Sequence, residues 1–89
     1  MGEKSTVLGI KNERKIARKY RKQGYQVLSV NEKGFPDLIV LKDKEIEFFV
    51  EVKTGRHRVH LFQEKVHKKI EKMGFQVRIE RLERRSPPS

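Results

Sequence analysis

Apolar and polar residues recur along this chain with two different periods. From residue 7 to residue 20 the apolar positions are Val7, Leu8, Ile10, Ile16, Ala17 and Tyr20. At about 100° per residue, Ile10, Ile16, Ala17 and Tyr20 share one helical face, while Lys11, Lys15, Arg18 and Lys22 take the opposite one. This predicts a helix capped by Ser5 or Thr6, running to about Gln23, with Gly24 as its left-handed stop. Residues 26–30 read as a short strand and residues 31–34 as the turn after it. Residues 37–41 and 46–52 are apolar, β-branched runs, the composition of neighbouring strands buried on both faces. Residues 42–45 would turn between them and make a hairpin. The helical period then returns at Val59, Phe62, Val66, Ile70 and Met73, predicting a second helix over residues 59–73 closed by Gly74. Residues 75–82 alternate as a fourth strand, parallel to the third through the helical crossover. Residues 83–89 hold two prolines and no core residue, which predicts a disordered basic tail. The expectation is an α/β domain over residues 1–82, of order αβββαβ, with a four-stranded mixed sheet flanked by helices.

Five polar residues disturb this pattern. Asp37, Glu51 and Lys53 interrupt the apolar stretches 34–41 and 48–54. Side chains alternate along a strand, so Glu51 and Lys53 share one face while Val50 and Val52 take the other. A carboxylate and an ammonium there are expensive unless paired or bound to a cation. Pro36 cannot donate to a sheet ladder, which places Asp37 at the mouth of its strand, roughly opposite the Glu51–Lys53 end of the hairpin. Glu13 falls in the middle of the first helix's apolar face, as an internal ion pair or as a third acidic ligand. Gln63 falls on the inward side of the second helix, as a satisfied core amide or as a group aimed at the same sheet edge.

Charge narrows the partner. Lys and Arg number 22 against 12 Asp and Glu, a net charge of +10, and this one-sided excess favours a polyanion, nucleic acid before an anionic membrane surface. Neither helix has the aromatic-rich apolar face that membrane binding uses. No apolar run approaches the ~20 residues of a membrane span, no signal peptide is visible, and the absence of cysteine fits an intracellular, cytoplasmic protein without disulfides. With 89 residues and 35% hydrophobic content the core is lean, and a homodimer would add to it. After Lys53, the basic loop of Thr54, Gly55, Arg56, His57 and Arg58 brings backbone and cations to a phosphate. Phosphate contact is expected of Arg56, Arg58 and the histidines His57, His60 and His67, with Lys11 on the first helix. Zinc is the poorer reading of those histidines, since no cysteine and no fourth ligand accompanies them.

Pro36-Asp37 followed after thirteen residues by Glu51-Val52-Lys53 resembles the signature of the PD-(D/E)XK nuclease superfamily. Gly9-Ile-Lys-Asn-Glu13 with Ile16-Ala17 is similar to the first helix of small archaeal Holliday-junction resolvases. The virus-type replication-repair (VRR-NUC) nucleases are the other likeness. Where those resolvases carry a Gly-Ser-Gly-like segment, this chain has Asn31-Glu32-Lys33-Gly34. The resemblance spans roughly residues 9–79 and implies a restriction-endonuclease-like core. It also implies a Mg²⁺-dependent DNA endonuclease, with Mn²⁺ able to substitute and no other small-molecule cofactor. Duplex or branched DNA would be the partner. Glu13, Asp37, Glu51, Lys53 and Gln63 would be the catalytic set, with Asp37, Glu51, the Val52 carbonyl and Glu13 offering oxygens to the ion. A catalytically inactive nucleic-acid-binding protein of the same fold is the alternative.

Overall fold

The computed structural model describes residues 3–55 and 59–82 of the chain. Helix α1 (Glu3–Lys22) begins at Glu3, ahead of the expected caps, and Gly24 follows it at φ +99. Strands β1 (Gln26–Ser29), β2 (Leu38–Lys42) and β3 (Glu45–Thr54) form an antiparallel meander. Asp43 and Lys44 turn the β2–β3 hairpin with φ values of 53 and 68. Helix α2 (Leu61–Lys72) then crosses over, and β4 (Gln76–Leu82) pairs with β3 in parallel. The sheet order is β1-β2-β3-β4, so the predicted mixed four-stranded sheet flanked by helices is what the chain forms.

The two sheet faces are built differently. On one, Ile16, Ala17 and Tyr20 of α1 pack on Val27, Leu38, Val40, Phe48 and Val50, with Tyr25, Val52 and Leu82 at the margin. Burying each large aliphatic side chain contributes about 1.5–3 kcal/mol, so this layer holds most of the core's stabilisation. The aromatic rings of Tyr20, Tyr25 and Phe48 meet edge to face. On the other face α2 packs against β3 and β4, and only His67 and Ile70 of the helix are buried. Phe62 and Met73, expected to face inward, are 53% and 68% exposed. The apolar stripe read from spacing is therefore off-centre. The inward line of α2 runs through Gln63, His67 and Ile70.

Gly34 shows how closely α2 sits. It has φ +80, and a Cβ there would lie 2.4 Å from the Phe62 ring and 3.3 Å from Val66. A side chain there would have to displace the Phe62 ring. The basic loop residues Arg56, His57 and Arg58, and the predicted tail over 83–89, lie outside the described residues. Gly55 is described, and its role differs from expectation. Its amide donates to the Leu82 carbonyl at 2.8 Å and its carbonyl accepts from Arg81 Nη1 at 2.9 Å, so the glycine closes β3 onto β4 and its N–H is already used. No helix among the described residues is long and apolar enough to cross a membrane.

Candidate active site

Register brings the acidic residues together. Leu38 pairs with Val50 across the hairpin, which sets Asp37, one residue before β2, beside Glu51. The Val30 amide donates to the Asp37 carbonyl at 2.8 Å and extends the β1–β2 pairing to this residue. The Asp37 carboxylate in turn accepts the Val52 amide at 2.7 Å, so its side chain is tied to the strand that carries Glu51 and Lys53. Backbone and side chain of Asp37 are thus held by two different strands, which leaves its orientation little freedom.

Glu51 is the most enclosed member, 2% exposed. Its two oxygens face different neighbours. Oε2 lies 3.6 Å from Lys53 Nζ and 3.4 Å from Gln63 Nε2, whereas Oε1 lies 3.2 Å from His67 Nε2. Burial pushes the Glu51 carboxyl up to about 8, and the charge of Asp37 adds to the rise, while Lys53 pulls the other way. Glu13 stands on α1 one turn before Ile16 and Ala17, half-buried and next to Asp37. Burial first, then the Asp37 carboxylate, pushes Glu13 up to about 7. Three carboxyls therefore crowd one place with one ammonium among them.

Gln63 makes the crowd orderly. As the third residue of α2 its Oε1 accepts the His60 amide at 3.1 Å, capping the helix, and also accepts Lys53 Nζ at 3.0 Å. Its Nε2 donates to Glu51. One amide thereby caps a helix, steers the lysine and contacts the buried carboxylate. Beyond this ring, Asn12 of α1 donates to the Thr54 hydroxyl and pins the amino-terminal half of α1 to the end of β3.

The structure therefore gathers Glu13, Asp37, Glu51, Lys53 and Gln63 at one end of the two central strands, with Val52 between two of them. Val52 offers its amide to Asp37, so the expected carbonyl donor sits on a residue already engaged there. Lys11 is exposed beside Asn12, and His60 is exposed at the cap of α2. His67 differs from expectation: it is 7% exposed and bonded to Glu51, hence closed to phosphate. Burial pushes its imidazole below the usual value, leaving the ring neutral near pH 7. Its position was readable, four residues after Gln63 and three before Ile70 on the same helical face.

Among the described residues no three His, Asp or Glu side chains form a ready-made metal cage. Mg²⁺ does not ask for one, since it keeps several waters and takes one or two carboxylates. The oxygen donors of Asp37 and Glu51 fit that demand in kind and number.

A family profile for the VRR-NUC domain matches residues 4–81, a span that contains every one of these side chains. No curated protein and no solved structure matches the chain. With that profile covering most of its length, the chain belongs to the VRR-NUC domain family of the PD-(D/E)XK nuclease superfamily.

Proposed function

We propose that this nuclease-family protein is a Mg²⁺-dependent DNA endonuclease, with Mn²⁺ able to substitute, that acts on branched DNA such as junctions, flaps or forks. The observation that carries the reading is the convergence of Asp37 and Glu51 with Lys53, whose ammonium is 3.6 Å from one carboxylate and 3.0 Å from the Gln63 oxygen. Asp37 and Glu51 hold the cation, and Glu13 lends a third carboxyl directly or through water. When bound, Mg²⁺ stabilises charge on the phosphoryl oxygens and eases the ionisation of water. Lys53 has a compact, mobile charge, and Gln63 fixes it beside Glu51, where it can hold the attacking water or meet the developing phosphate charge. The basic residues of the 54–58 loop, His60 and Lys11 contact the backbone of the nucleic acid.

Little of this small chain is left for reading bases, which favours recognition of DNA shape over sequence. Cutting two strands requires two sites, and a homodimer supplies them. The test is a cleavage panel of supercoiled plasmid, linear duplex, flap, four-way junction and single strands, with Mg²⁺ or Mn²⁺ against chelator. Nicking should require metal, and Asp37→Ala, Glu51→Ala and Lys53→Ala should each abolish it while DNA binding stays near normal. Full cleavage by any of these variants, or none of any substrate by the native chain, overturns the reading.

A further inference from the structure

We propose that His67 is a positioning residue for Glu51, holding the inner carboxylate oxygen so that the outer one is turned toward Lys53 and the cation. The inference rests on the metal-dependent reading above and adds a residue to it. Its basis is the division of labour between the two Glu51 oxygens. Oε1 meets the buried imidazole, at 3.2 Å, while Oε2 meets the amine of Lys53 and the amide of Gln63. The terminal torsion of a glutamate is broad, so a carboxylate gripped on one oxygen by a rigid donor presents the other in one direction only.

His67 is rigid. It stands on the inward line of α2 one turn after Gln63, which caps the helix, and one turn before Ile70, which is 2% exposed. Gln63 and His67 therefore act as a pair from one helix, one on each oxygen of Glu51. Only a ring with its proton on Nε2 can serve an ionised Glu51, since that nitrogen must then donate. Metal-ligating groups elsewhere are oriented by outer partners in the same manner, and losing such a partner weakens metal binding about 10–100-fold. The rival account is that His67 merely fills space between α2 and β3. Leucine would fill that space equally well but would take away the side-chain donor to Oε1. Every buried side-chain nitrogen and oxygen among the described residues now has a hydrogen-bond partner.

The two accounts separate in a Mn²⁺ titration of the full chain by calorimetry, with plasmid nicking measured across Mn²⁺ concentration. The variants are Glu51→Gln, His67→Leu, His67→Gln and His67→Asn. Glutamine carries an amide nitrogen about as far out as imidazole Nε2, whereas asparagine stops near Nδ1. His67→Leu and His67→Asn should bind Mn²⁺ about 10–100-fold more weakly, with nicking partly restored at high Mn²⁺. His67→Gln should stay within about threefold of the native chain on that scale. If Glu51→Gln binds Mn²⁺ as the native chain does, the metal reading itself fails. If Glu51→Gln loses binding while His67→Leu keeps it, or while the Gln and Asn variants behave alike, the positioning role alone is overturned. Should His67→Leu not fold, the Gln and Asn pair decides.

Discussion

Glu51 and Glu80 sit on neighbouring parallel strands, one register position apart, Glu51 facing Ile79 and Val52 facing Glu80. They project to opposite faces of the sheet. Burial works to raise both carboxyls, yet they end on opposite sides of the usual value. Glu80 is lowered, because the Tyr20 hydroxyl and the Lys19 ammonium at 3.0 Å outweigh burial, with Arg78 adding its charge. Glu51 is raised to about 8, because burial and then the neighbouring Asp37 carboxylate outweigh the pull of Lys53. Burial alone therefore does not say what an acidic residue is for. A carboxylate supplied with donors and a cation joins the structure together. One buried against another carboxylate holds a proton more tightly, as Glu51 does on the α2 side of the sheet.

The largest expected effect is a crossed pair of substitutions. Glu51→Gln should abolish cleavage without lowering the stability of the metal-free chain, since glutamine keeps the shape and has no charge to bury. Glu80→Gln should leave cleavage near normal but cost about 1.5–3 kcal/mol, the range for a lost hydrogen bond to a charged group. Urea melts in chelator, beside plasmid nicking in Mg²⁺, read both quantities. If both variants lose the same property, the two faces are not divided as described.

How much of this division was legible depended on sequence distance. The hairpin was, because Asp37, Glu51 and Lys53 are the charged residues within the stretches 34–41 and 48–54 and alternation fixes their faces. Gln63 was also readable, as a polar residue on an apolar helix face. His67 was not recognised, although the same geometry places it beside Gln63, because three histidines in a basic region read naturally as phosphate contacts. The apolar stripe of α2 misled for a related reason. Periodicity gives a face but not its centre, and Phe62 and Met73 lie at the margins of a narrow contact. Glu80 carried no local signal at all. Its partners Lys19 and Tyr20 are about sixty residues away, and only the parallel β3–β4 pairing brings them to it.

Two glycines sharpen the comparison at smaller magnitude. Gly24, after α1, has φ +99 and nothing within 4 Å of a built Cβ, whereas Gly34 has φ +80 and the Phe62 ring at 2.4 Å. Gly24→Ala should cost only the left-handed strain, about 1–2 kcal/mol, with cleavage intact. Gly34→Ala meets the same strain plus a clash that moves Phe62, the residue before Gln63. It should therefore cost more and also reduce cleavage. Thermal melts with nicking rates decide it, and equal behaviour of the two variants would mean that the packing of α2 on the 31–34 turn does not support the site.

The smallest effect tests the structural side by pH. Tyr20→Phe removes the hydroxyl that donates to Glu80 while keeping the ring against Tyr25 and Phe48. At pH 7 the loss should be about 1 kcal/mol, with cleavage unchanged. Its pH dependence follows from the lowered Glu80 value. Between the folded value and the ordinary one near 4.5, the unfolded chain binds more protons than the folded chain, so stability rises with pH across that window. The contribution is complete above the ordinary value and disappears as pH falls through the folded one. Tyr20→Phe moves the folded value upward, so the gap between variant and native chain should be widest at neutral pH and narrow in acid. Urea melts at pH 7 and pH 3 measure it. A gap of constant size would mean that the hydroxyl supports packing rather than an ionised carboxylate, and the contrast between Glu80 and Glu51 would lose its electrostatic basis.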